Sequence, residues 1–413
     1  MKQRHVIVGG GAAGFFAAIA SAQANSTNEV QIFERGSNFL AKVRISGGGR
    51  CNVTHAWSEA QAFTGRYPRG ARELMAALHR FDANDTVSWF ENRDVALKTE
   101  ADGRMFPTTD TSATIVDCLL REAARAGVQL FPRRSVERID RTDDGGFVLT
   151  DQHGDTIICD RVLLSTGGAR NESGAQLARA LGHEIEPPVP SLFTFQIDAP
   201  SLRALAGVSV VDVEATVADT ALRERGPLLI THAGVSGPVV LRLSAWGARD
   251  LHEREYEFVL RVNWLPAENN ASIAERFRGL RAEHPKRRVA NSPIAPLPAR
   301  LWEELVAAAG VSPETIWTNL SRVHAQNLSA QLLRTELPVH GKSMNKDEFV
   351  TCGGVRLREI NFKTMESRLT PGLYFAGEFL DLDGITGGFN FQAAWTTGWI
   401  AGRAMAGAEA SPQ

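Results

Sequence analysis

The sequence predicts an α/β protein in which a Rossmann-like, dinucleotide-binding fold is interrupted by an insertion. Three observations support this fold class. The chain opens with a strand, a glycine-rich turn and a helix; its middle carries short alternating strands and then helices; and α/β patterning returns towards the C-terminus. Because strands that alternate with helices form parallel sheets, the two outer segments are predicted to share one sheet.

Apolar periodicity predicts the individual elements. In the first segment they are the strand His5–Val8, the helix Phe15–Ala24, the strand Val30–Phe33, the helix Ser112–Ala126, the hairpin Phe147–Thr150 with Thr156–Cys159, and the strand Arg161–Leu164. In the insertion they are strands such as Val208–Val217 and Glu255–Val262, followed by helices between Asn269 and Glu336. The strand Leu373–Ala376 and the helix Gln392–Ala404 mark the return to α/β patterning.

Three prolines, Pro187, Pro188 and Pro190, indicate the exit from the first segment. We therefore predict that residues 1–186 and 353–413 form the dinucleotide-binding domain. Residues 187–265 are predicted to form an inserted β domain, residues 266–336 a helical insert, and residues 337–352 a return strand of the β domain.

The composition limits the classes of partner. The chain has 413 residues, a formal net charge of −2 and a pI of about 6.6, which disfavours nucleic acid as a partner. Its four cysteines are scattered without metal-ligand spacing, so we predict no metal site and a reducing compartment. Because no apolar run of about 18 residues occurs, we predict no membrane span and a cytoplasmic protein.

A GxGxxG motif stands at Gly9, Gly11 and Gly14, between the first strand and the first helix. Its first glycine permits a tight turn, its second lets a pyrophosphate approach the backbone, and its third lets helix and strand pack closely. Glu34 ends the next strand, where a carboxylate binds the ribose of an adenosine. This acid disfavours the 2′-phosphate of NADP, although Arg35 follows it directly.

The segment RISGGGRCN, Arg44 to Asn52, contains three consecutive glycines. We predict that its part from Ser46 to Asn52 wraps the cofactor at a distance too short for side chains, with backbone N–H groups of the glycines pointing at the cofactor. Arg50 is predicted to offset negative charge, and Asn52 to hydrogen-bond the edge of the cofactor ring. An ordinary flexible loop remains the alternative.

A second glycine-rich segment, Gly372 to Gly398, ends a strand at Gly377-Glu378 and starts a helix after Gly387-Gly388-Phe389-Asn390. Free N–H groups at that helix terminus stabilise an anion. A cofactor that reaches two such distant segments must be long, and FAD meets this requirement because its flavin lies far from its adenine. Since no second strand–GxGxxG–helix unit occurs, NAD(P)H either binds in a less regular pocket or is not the electron donor.

These segments, together with THAGVSGP at Thr231 to Pro238, resemble a bacterial family of aminoacetone-oxidase-like, NAD(P)/FAD-dependent oxidoreductases, which includes a flavoprotein that reduces bile-acid double bonds. The resemblance spans nearly the whole chain. It implies FAD as the cofactor and an FAD-binding domain interrupted by a β-barrel-like domain and a small helical domain. The cofactor-binding residues predicted are Gly9, Gly11, Ala12, Ala13, Gly14, Glu34, Arg35, Lys42, Ser46, Gly47, Gly48, Arg50, Cys51, Asn52, Val136, Thr166, Gly167, Gly168, Gly377, Glu378, Asp381, Gly387, Gly388, Asn390 and Phe391.

The predicted activity is hydride transfer between bound flavin and a small organic substrate, of the reductase or dehydrogenase type. A flavin amine oxidase and a non-catalytic redox sensor are the alternatives, and near-neutral charge counts against an RNA-modifying factor. Cys51 and His232 are the candidate catalytic residues. For each the alternative is structural, because a lone cysteine commonly packs as a small apolar side chain.

Overall fold

The computed structural model describes residues 2–57, 59–168, 172–343 and 350–408. It divides into two compact units. The first unit consists of Met1–Pro190 and Lys346–Gln413, and the second unit is Ser191–Asn345. The five segment limits proposed above remain a prediction, and residues 344–349 of the predicted return strand lie outside the described residues.

Strands and helices alternate in the first unit, whereas strands precede helices in most of the second. The strands are β1 Arg4–Val8, β2 Glu29–Glu34, β3 Thr54–His55, β4 Leu97–Thr99, β5 Arg104–Pro107, β6 Gln129–Pro132, β7 Val136–Arg141, β8 Phe147–Asp151, β9 Thr156–Cys159, β10 Arg161–Leu164, β11 Ile185–Ser191, β12 Thr194–Gln196, β13 Ser209–Val217, β14 Arg223–Thr231, β15 Gly234–Ser236, β16 Glu257–Asn263, β17 Thr335–His340, β18 Lys342–Ser343, β19 Val350–Val355, β20 Ile360–Asn361, β21 Glu366–Ser367 and β22 Leu373–Phe375.

The α-helices are α1 Ala12–Ala24, α2 Ala41–Gly49, α3 Ala60–Thr64, α4 Ala71–Leu78, α5 Ala83–Glu91, α6 Ser112–Arg125, α7 Glu172–Ala180, α8 Pro200–Ala204, α9 Pro238–Trp246, α10 Ala248–Glu253, α11 Asn270–Glu283, α12 Ala299–Ala308, α13 Arg322–Arg334 and α14 Phe389–Met405. Among the residues described, no helix has both the length and the apolar character needed to span a membrane.

The main sheet of the first unit has the strand order β20-β21-β22-β10-β1-β2-β6. The five strands from β22 to β6 pair in parallel, while β21 and the edge strand β20 are joined by antiparallel pairing. The chain runs outwards from β1 through β2 to β6 and then returns to β10 on the other side of β1. In open α/β sheets a ligand binds at such a reversal, outside the carboxyl ends of the strands.

Helices α1 and α14 pack against each other at backbone distance. A Cβ on Gly398 would lie 2.4 Å from the carbonyl oxygen of Ala13, and one on Gly402 would lie 2.1 Å from that of Ala17. Only glycine allows so close an approach. The glycines of α14 therefore join the C-terminal part of the chain to the N-terminal dinucleotide-type turn.

The second unit contains a seven-stranded antiparallel sheet of order β17-β16-β13-β14-β15-β12-β18. Helices α11 to α13 follow β16 and precede β17. Their core includes Trp302 and Trp317, both fully buried, and the Trp302 indole N–H donates to the carbonyl of Val289 at 2.8 Å.

Several boundaries differ from the predictions for physical reasons. Helix α1 begins at Ala12 and α14 at Phe389, each three residues earlier than predicted, because both helices start directly at a glycine. The proline-rich segment forms strand β11, where an exit loop was predicted. This is possible because β11 pairs only with β19 in a two-stranded sheet, and proline is tolerated on edge strands.

Candidate cofactor site

The three glycines of the motif between β1 and α1 have different surroundings. Gly9 has a φ of +112°, and a Cβ there would lie 2.4 Å from the carbonyl oxygen of Ser165. A Cβ on Gly14 would lie 2.1 Å from the carbonyl oxygen of Gly9. Gly11 differs, since no heavy atom of the described residues would come within 4 Å of its Cβ. The fold itself requires Gly9 and Gly14, whereas Gly11 borders open space.

Helix α1 presents an uncapped N-terminus to that space. No described side chain caps Gly11, and its first turn, which contains Ala12 and Ala13, carries no acid. The first N–H groups and the positive end of the helix dipole are thus available to an anion.

The Glu34 carboxylate binds the backbone of the turn and of the residues that follow β2. One oxygen accepts a hydrogen bond from the Gly10 N–H at 2.9 Å, and the other accepts from the Gly36 N–H at 2.6 Å. Arg35 beside it is exposed. The carboxylate is therefore held beside the phosphate-binding turn, at the end of β2 where the ribose contact was predicted.

Open space also borders several glycines in left-handed conformations, and two of them were predicted to bind the cofactor. Gly48, in α2, has a φ of +67°, and Gly167, after β10, has a φ of +78°. A Cβ at either position would meet no described heavy atom within 4 Å. Both follow parallel strands of the same sheet as Gly11. We use the name glycine cradle for the three predicted cofactor-binding glycines that border open space, Gly11, Gly48 and Gly167.

Residues before Arg50 curve the chain sharply. Ser46, Gly47 and Gly48 leave helical geometry within α2, and the Ser46 hydroxyl donates to the carbonyl of Val43 at 3.0 Å. The left-handed conformation of this turn accounts for the run of glycines, because glycine adopts it at the least cost. The close approach of the same run to the cofactor stays a prediction.

Arg50 lies among protein groups that hold its charge. Its guanidinium pairs with Glu100 at 2.6 Å and with Asp110 at 3.6 Å. The guanidinium carbon is also 4.0 Å from the centroid of the Phe106 ring. The two carboxylates are shared, since Glu100 also pairs with Arg104 and Asp110 with Lys98. The predicted contact of Arg50 with charge on the cofactor stays a prediction.

Asn52 connects the loop to the start of α14. In the amide orientation that satisfies its surroundings, its oxygen accepts from the Gly388 N–H at 2.9 Å and its nitrogen donates to the carbonyl of Thr54 at 3.0 Å. Gly388 has a φ of +93°, and a Cβ there would lie 2.5 Å from the Thr54 carbonyl oxygen. Asn52 thus positions the N-terminus of α14. The hydrogen bond that Asn52 was predicted to make to the cofactor ring stays a prediction.

An ion pair joins the two parts of the first unit at a second point. The Lys42 ammonium lies 2.6 Å from one Glu378 oxygen, and the other oxygen accepts from the Thr351 N–H at 3.0 Å. A Cβ on Gly168 would lie 2.3 Å from the Thr351 hydroxyl. Three predicted site residues therefore meet here although they are distant in sequence.

The loop before α14 is closed by Asn390. Its amide nitrogen donates to the carbonyl of Gly384 at 2.8 Å, and its oxygen accepts from the Gly384 N–H at 2.9 Å. Gly387, between them, has a φ of +126°. Asn390 therefore fixes the approach of the chain to the helix.

The remaining predicted residues of the first unit have these positions: Val136 is buried in β7, Thr166 follows β10, Gly377 donates its N–H to the Thr397 hydroxyl at 2.9 Å, Asp381 donates its N–H to the Val355 carbonyl at 3.0 Å, and Phe391 stacks on Trp395. Direct contacts to the cofactor remain a prediction for all of the site residues.

The two candidate catalytic residues lie in different units. Cys51 has a φ of +61° and is fully buried, and burial raises the pKa of its thiol to about 12. It therefore stays protonated at neutral pH, which disfavours a nucleophilic or redox thiolate. His232 is exposed, between β14 and β15 of the second unit.

His55, which the sequence analysis did not select, lies close in sequence to the segment that was predicted to bind the cofactor. It is 5% exposed, stacks on Phe389 with centroids 5.0 Å apart, and has its Nε2 3.1 Å from the carbonyl of Asp102. Burial lowers its pKa, so the ring is neutral, and the contact to a carbonyl assigns the proton to Nε2. Its buried Nδ1 has no partner among the described residues. His55 follows the segment RISGGGRCN by three residues, so its place in the sequence was the available signal.

This arrangement fits a dinucleotide flavin. Phosphates suit the uncapped start of α1 and the glycine cradle, a ribose suits Glu34, and His55 Nδ1 is a buried acceptor that needs a donor. Within the described ranges, no group of three or more His, Cys, Asp or Glu side chains could hold a metal ion.

Comparison with known proteins identifies relatives over the full chain. Residues 3–404 match the family described as HI0933-like protein Rossmann domain. The 3-dehydro-bile acid delta(4,6)-reductase of Clostridium scindens is 31% identical, over 97% of this chain and 98% of that protein. The ribosomal RNA dihydrouridine synthase of Escherichia coli is 32% identical, over 98% of each.

A solved structure also resembles the fold. The 3-ketosteroid-delta4-(5alpha)-dehydrogenase of Rhodococcus jostii RHA1, in complex with 4-androstene-3,17-dione, has a TM-score of 0.51 and 14% identity, with 98% of this chain and 97% of that chain covered. Together with the family match, this confirms the predicted fold class. The family match also confirms the predicted cofactor, FAD.

Proposed function

We propose, from the premise that the chain belongs to the HI0933-like Rossmann family, that it is an FAD-dependent reductase of a carbon–carbon double bond conjugated to a carbonyl group. Two relatives that match over nearly their whole length support this proposal. Their names give two different substrates, the delta(4,6) bonds of a 3-dehydro bile acid and uridine in ribosomal RNA. In both substrates the reduced double bond is conjugated to a carbonyl. That shared feature makes its far carbon electrophilic.

The first unit supports this chemistry by its binding groups. FAD, when bound, supplies a hydride donor in its reduced form. The glycine cradle and the start of α1 would hold its phosphates, and Glu34 its ribose. The N-terminus of α14, positioned by Asn52, offers the positive end of a helix dipole to negative charge on the reduced cofactor.

Reduction of the double bond also needs a proton at the carbon next to the carbonyl. Cys51 and Tyr67 retain their protons, but both are buried, and the Tyr67 hydroxyl donates to the Phe389 carbonyl at 2.5 Å. His55 is neutral and carries its one proton on the nitrogen that faces Asp102. None of these three residues is therefore a ready proton donor, and His232, the other catalytic candidate of the sequence, stays a prediction for that role.

Anaerobic stopped-flow absorbance of the FAD-loaded protein tests the proposal. NADH or NADPH should bleach the flavin, and a 4-en-3-one steroid or a uridine-containing RNA should restore its colour. His232→Gln should slow the second step without changing the first. A variant at another exposed histidine, His153→Gln, is the matched control and should change neither step.

An amine oxidase would behave differently in the same instrument. Aminoacetone would bleach the flavin, air would restore its colour rapidly, and neither nicotinamide would have an effect. That result would overturn the proposal in favour of the oxidase alternative. A flavin that no donor reduces at a useful rate would favour the redox sensor.

A further inference from the structure

Positive charge is concentrated in one segment of the second unit. Between residues 276 and 288, six arginines and lysines stand against a single acid, Glu283. Two of the six pair with acids from outside the segment, Arg276 with Glu268 at 3.3 Å and Arg288 with Glu314. The whole chain has a formal net charge of −2, and that value led us to expect no nucleic-acid partner. The local charge removes the ground for that expectation, because binding to a polyanion depends on the face presented and not on the total.

The same segment borders a groove between α11 and α13 with a volume of about 570 Å³. Arg278, Arg281 and Arg322 line it, and we call it the arginine groove. Its other lining residues are Asn270, Ala274, Phe277, Leu320, Ala325, Gln326 and Ser329. None of the described residues that line it is acidic, so the groove presents a positive surface over apolar and amide groups.

One of the three arginines shapes the groove and two are available to a ligand. The Arg281 guanidinium donates to the carbonyls of Trp317 at 2.9 Å and Leu320 at 2.5 Å, which holds the chain before α13 against α11. The Arg278 side chain is 74% exposed and has only a 3.7 Å pair with the equally exposed Glu275. Such surface pairs contribute little and exchange readily for another anion.

Arg322 is the first residue of α13 and is exposed. Within the described part of the chain, no carboxylate lies within ion-pair distance of Arg322 or of Lys286 in the neighbouring segment. Arginines of this kind bind phosphate by paired N–H donors, and they do so with the least loss of existing contacts when no protein carboxylate must be displaced.

We propose that the arginine groove and the adjoining basic segment 284–288 bind the phosphodiester backbone of an RNA. Charge complementarity supports a polyanion as the occupant. A polynucleotide suits it because it carries successive phosphates, and the chain offers Arg278 and Arg322 in the groove and the exposed Lys286 in the segment that follows α11. This inference rests on the proposed function in one respect. It takes RNA, whose uracil has a double bond conjugated to a carbonyl, as the substrate of the reductase.

Fluorescence anisotropy with a 5′-labelled, uridine-containing hairpin RNA tests the proposal on the FAD-loaded, full-length protein. The variant Arg278→Ala/Arg322→Ala should bind about tenfold more weakly, and the slope of log K against log salt between about 50 and 200 mM should fall by about 2. The double lysine variant at these positions should keep most of the slope. The control Arg203→Ala/Arg223→Ala, which removes two exposed arginines of the same unit, should bind like wild type.

Equal binding by the groove variant and the control would overturn the proposal. So would groove-dependent binding to phosphatidylserine vesicles in the absence of RNA binding, which would assign the groove to a membrane surface. The proposed function fails separately. Wild-type protein that reduces a steroid enone but binds no RNA contradicts only the groove, and protein that binds RNA but reduces no conjugated double bond contradicts only the reductase.

Discussion

The glycine cradle of the first unit and the arginine groove of the second unit present different chemical groups to a ligand, backbone in the cradle and charged side chains in the groove. In the cradle, Gly11, Gly48 and Gly167 leave space that any side chain would fill. In the groove, guanidinium groups provide the surface. A site made of backbone responds steeply to single substitutions, because an added side chain takes the space that the cofactor is expected to occupy. A site made of exposed charges responds gradually, because each charge contributes a small, salt-dependent part.

The largest effect is expected where the backbone is most crowded. Gly14→Val places a branched side chain against the Gly9 carbonyl, which would lie only 2.1 Å from the new Cβ. We expect the free energy of unfolding of the apoprotein to fall by about 3 kcal/mol, and the purified protein to be colourless. Chemical denaturation and the visible flavin absorbance measure the two effects. A yellow variant of wild-type stability would show that the turn does not pack as described.

Gly11→Ala is the matched partner of that variant and sharpens the comparison. Its new methyl group meets no described heavy atom within 4 Å, so the melting temperature of the apoprotein should not change. FAD affinity should fall about 10- to 100-fold, because the methyl group occupies the approach of the pyrophosphate to the backbone. Titration of the apoprotein with FAD, followed by flavin fluorescence, gives the affinity. A drop in apoprotein stability with unchanged affinity would reverse the assignment of the two glycines.

Within the arginine groove, the comparison predicts two unlike arginines. Arg281→Ala should lower the free energy of unfolding by about 1–2 kcal/mol, because the carbonyls of Trp317 and Leu320 lose their donor. Arg278→Ala should change it by less than about 0.5 kcal/mol, as is usual for an exposed side chain. Urea denaturation of both variants is the measurement. Equal losses would mean that Arg281 does not shape the groove.

The smallest effect is expected at a side chain inside the loop of the cradle. Cys51→Ser should retain FAD and most of the rate of flavin reduction, because the buried thiol, with a pKa of about 12, is not ionised at neutral pH. The native thiol should also resist alkylation at pH 8 until the protein is unfolded. Anaerobic reduction by NAD(P)H compares the variant with wild type. Loss of turnover with FAD retained would show that the side chain takes part in catalysis.

Local sequence was sufficient to predict the turn at Gly9–Gly14 and the acid at Glu34. The conformation of such a turn depends on adjacent residues, and a strand, a turn and a helix follow one another within a short stretch. The predictions for Arg50 and Asn52 were less complete, because their partners are carboxylates and backbone groups from other segments. Asn52 and Gly388, for example, meet across most of the chain.

By itself the sequence determined the fold class and the dinucleotide-type turn, since glycine spacing and hydrophobic periodicity are local properties. FAD as the cofactor followed from two distant glycine-rich segments together with the family resemblance. Only the tertiary structure showed that His55 has a buried, unpartnered Nδ1, and that Arg278 and Arg322 face one groove from two helices. The physical reason is the same in both cases. Burial and the clustering of charge depend on which distant segments pack together, and a net charge or a motif carries no record of that packing.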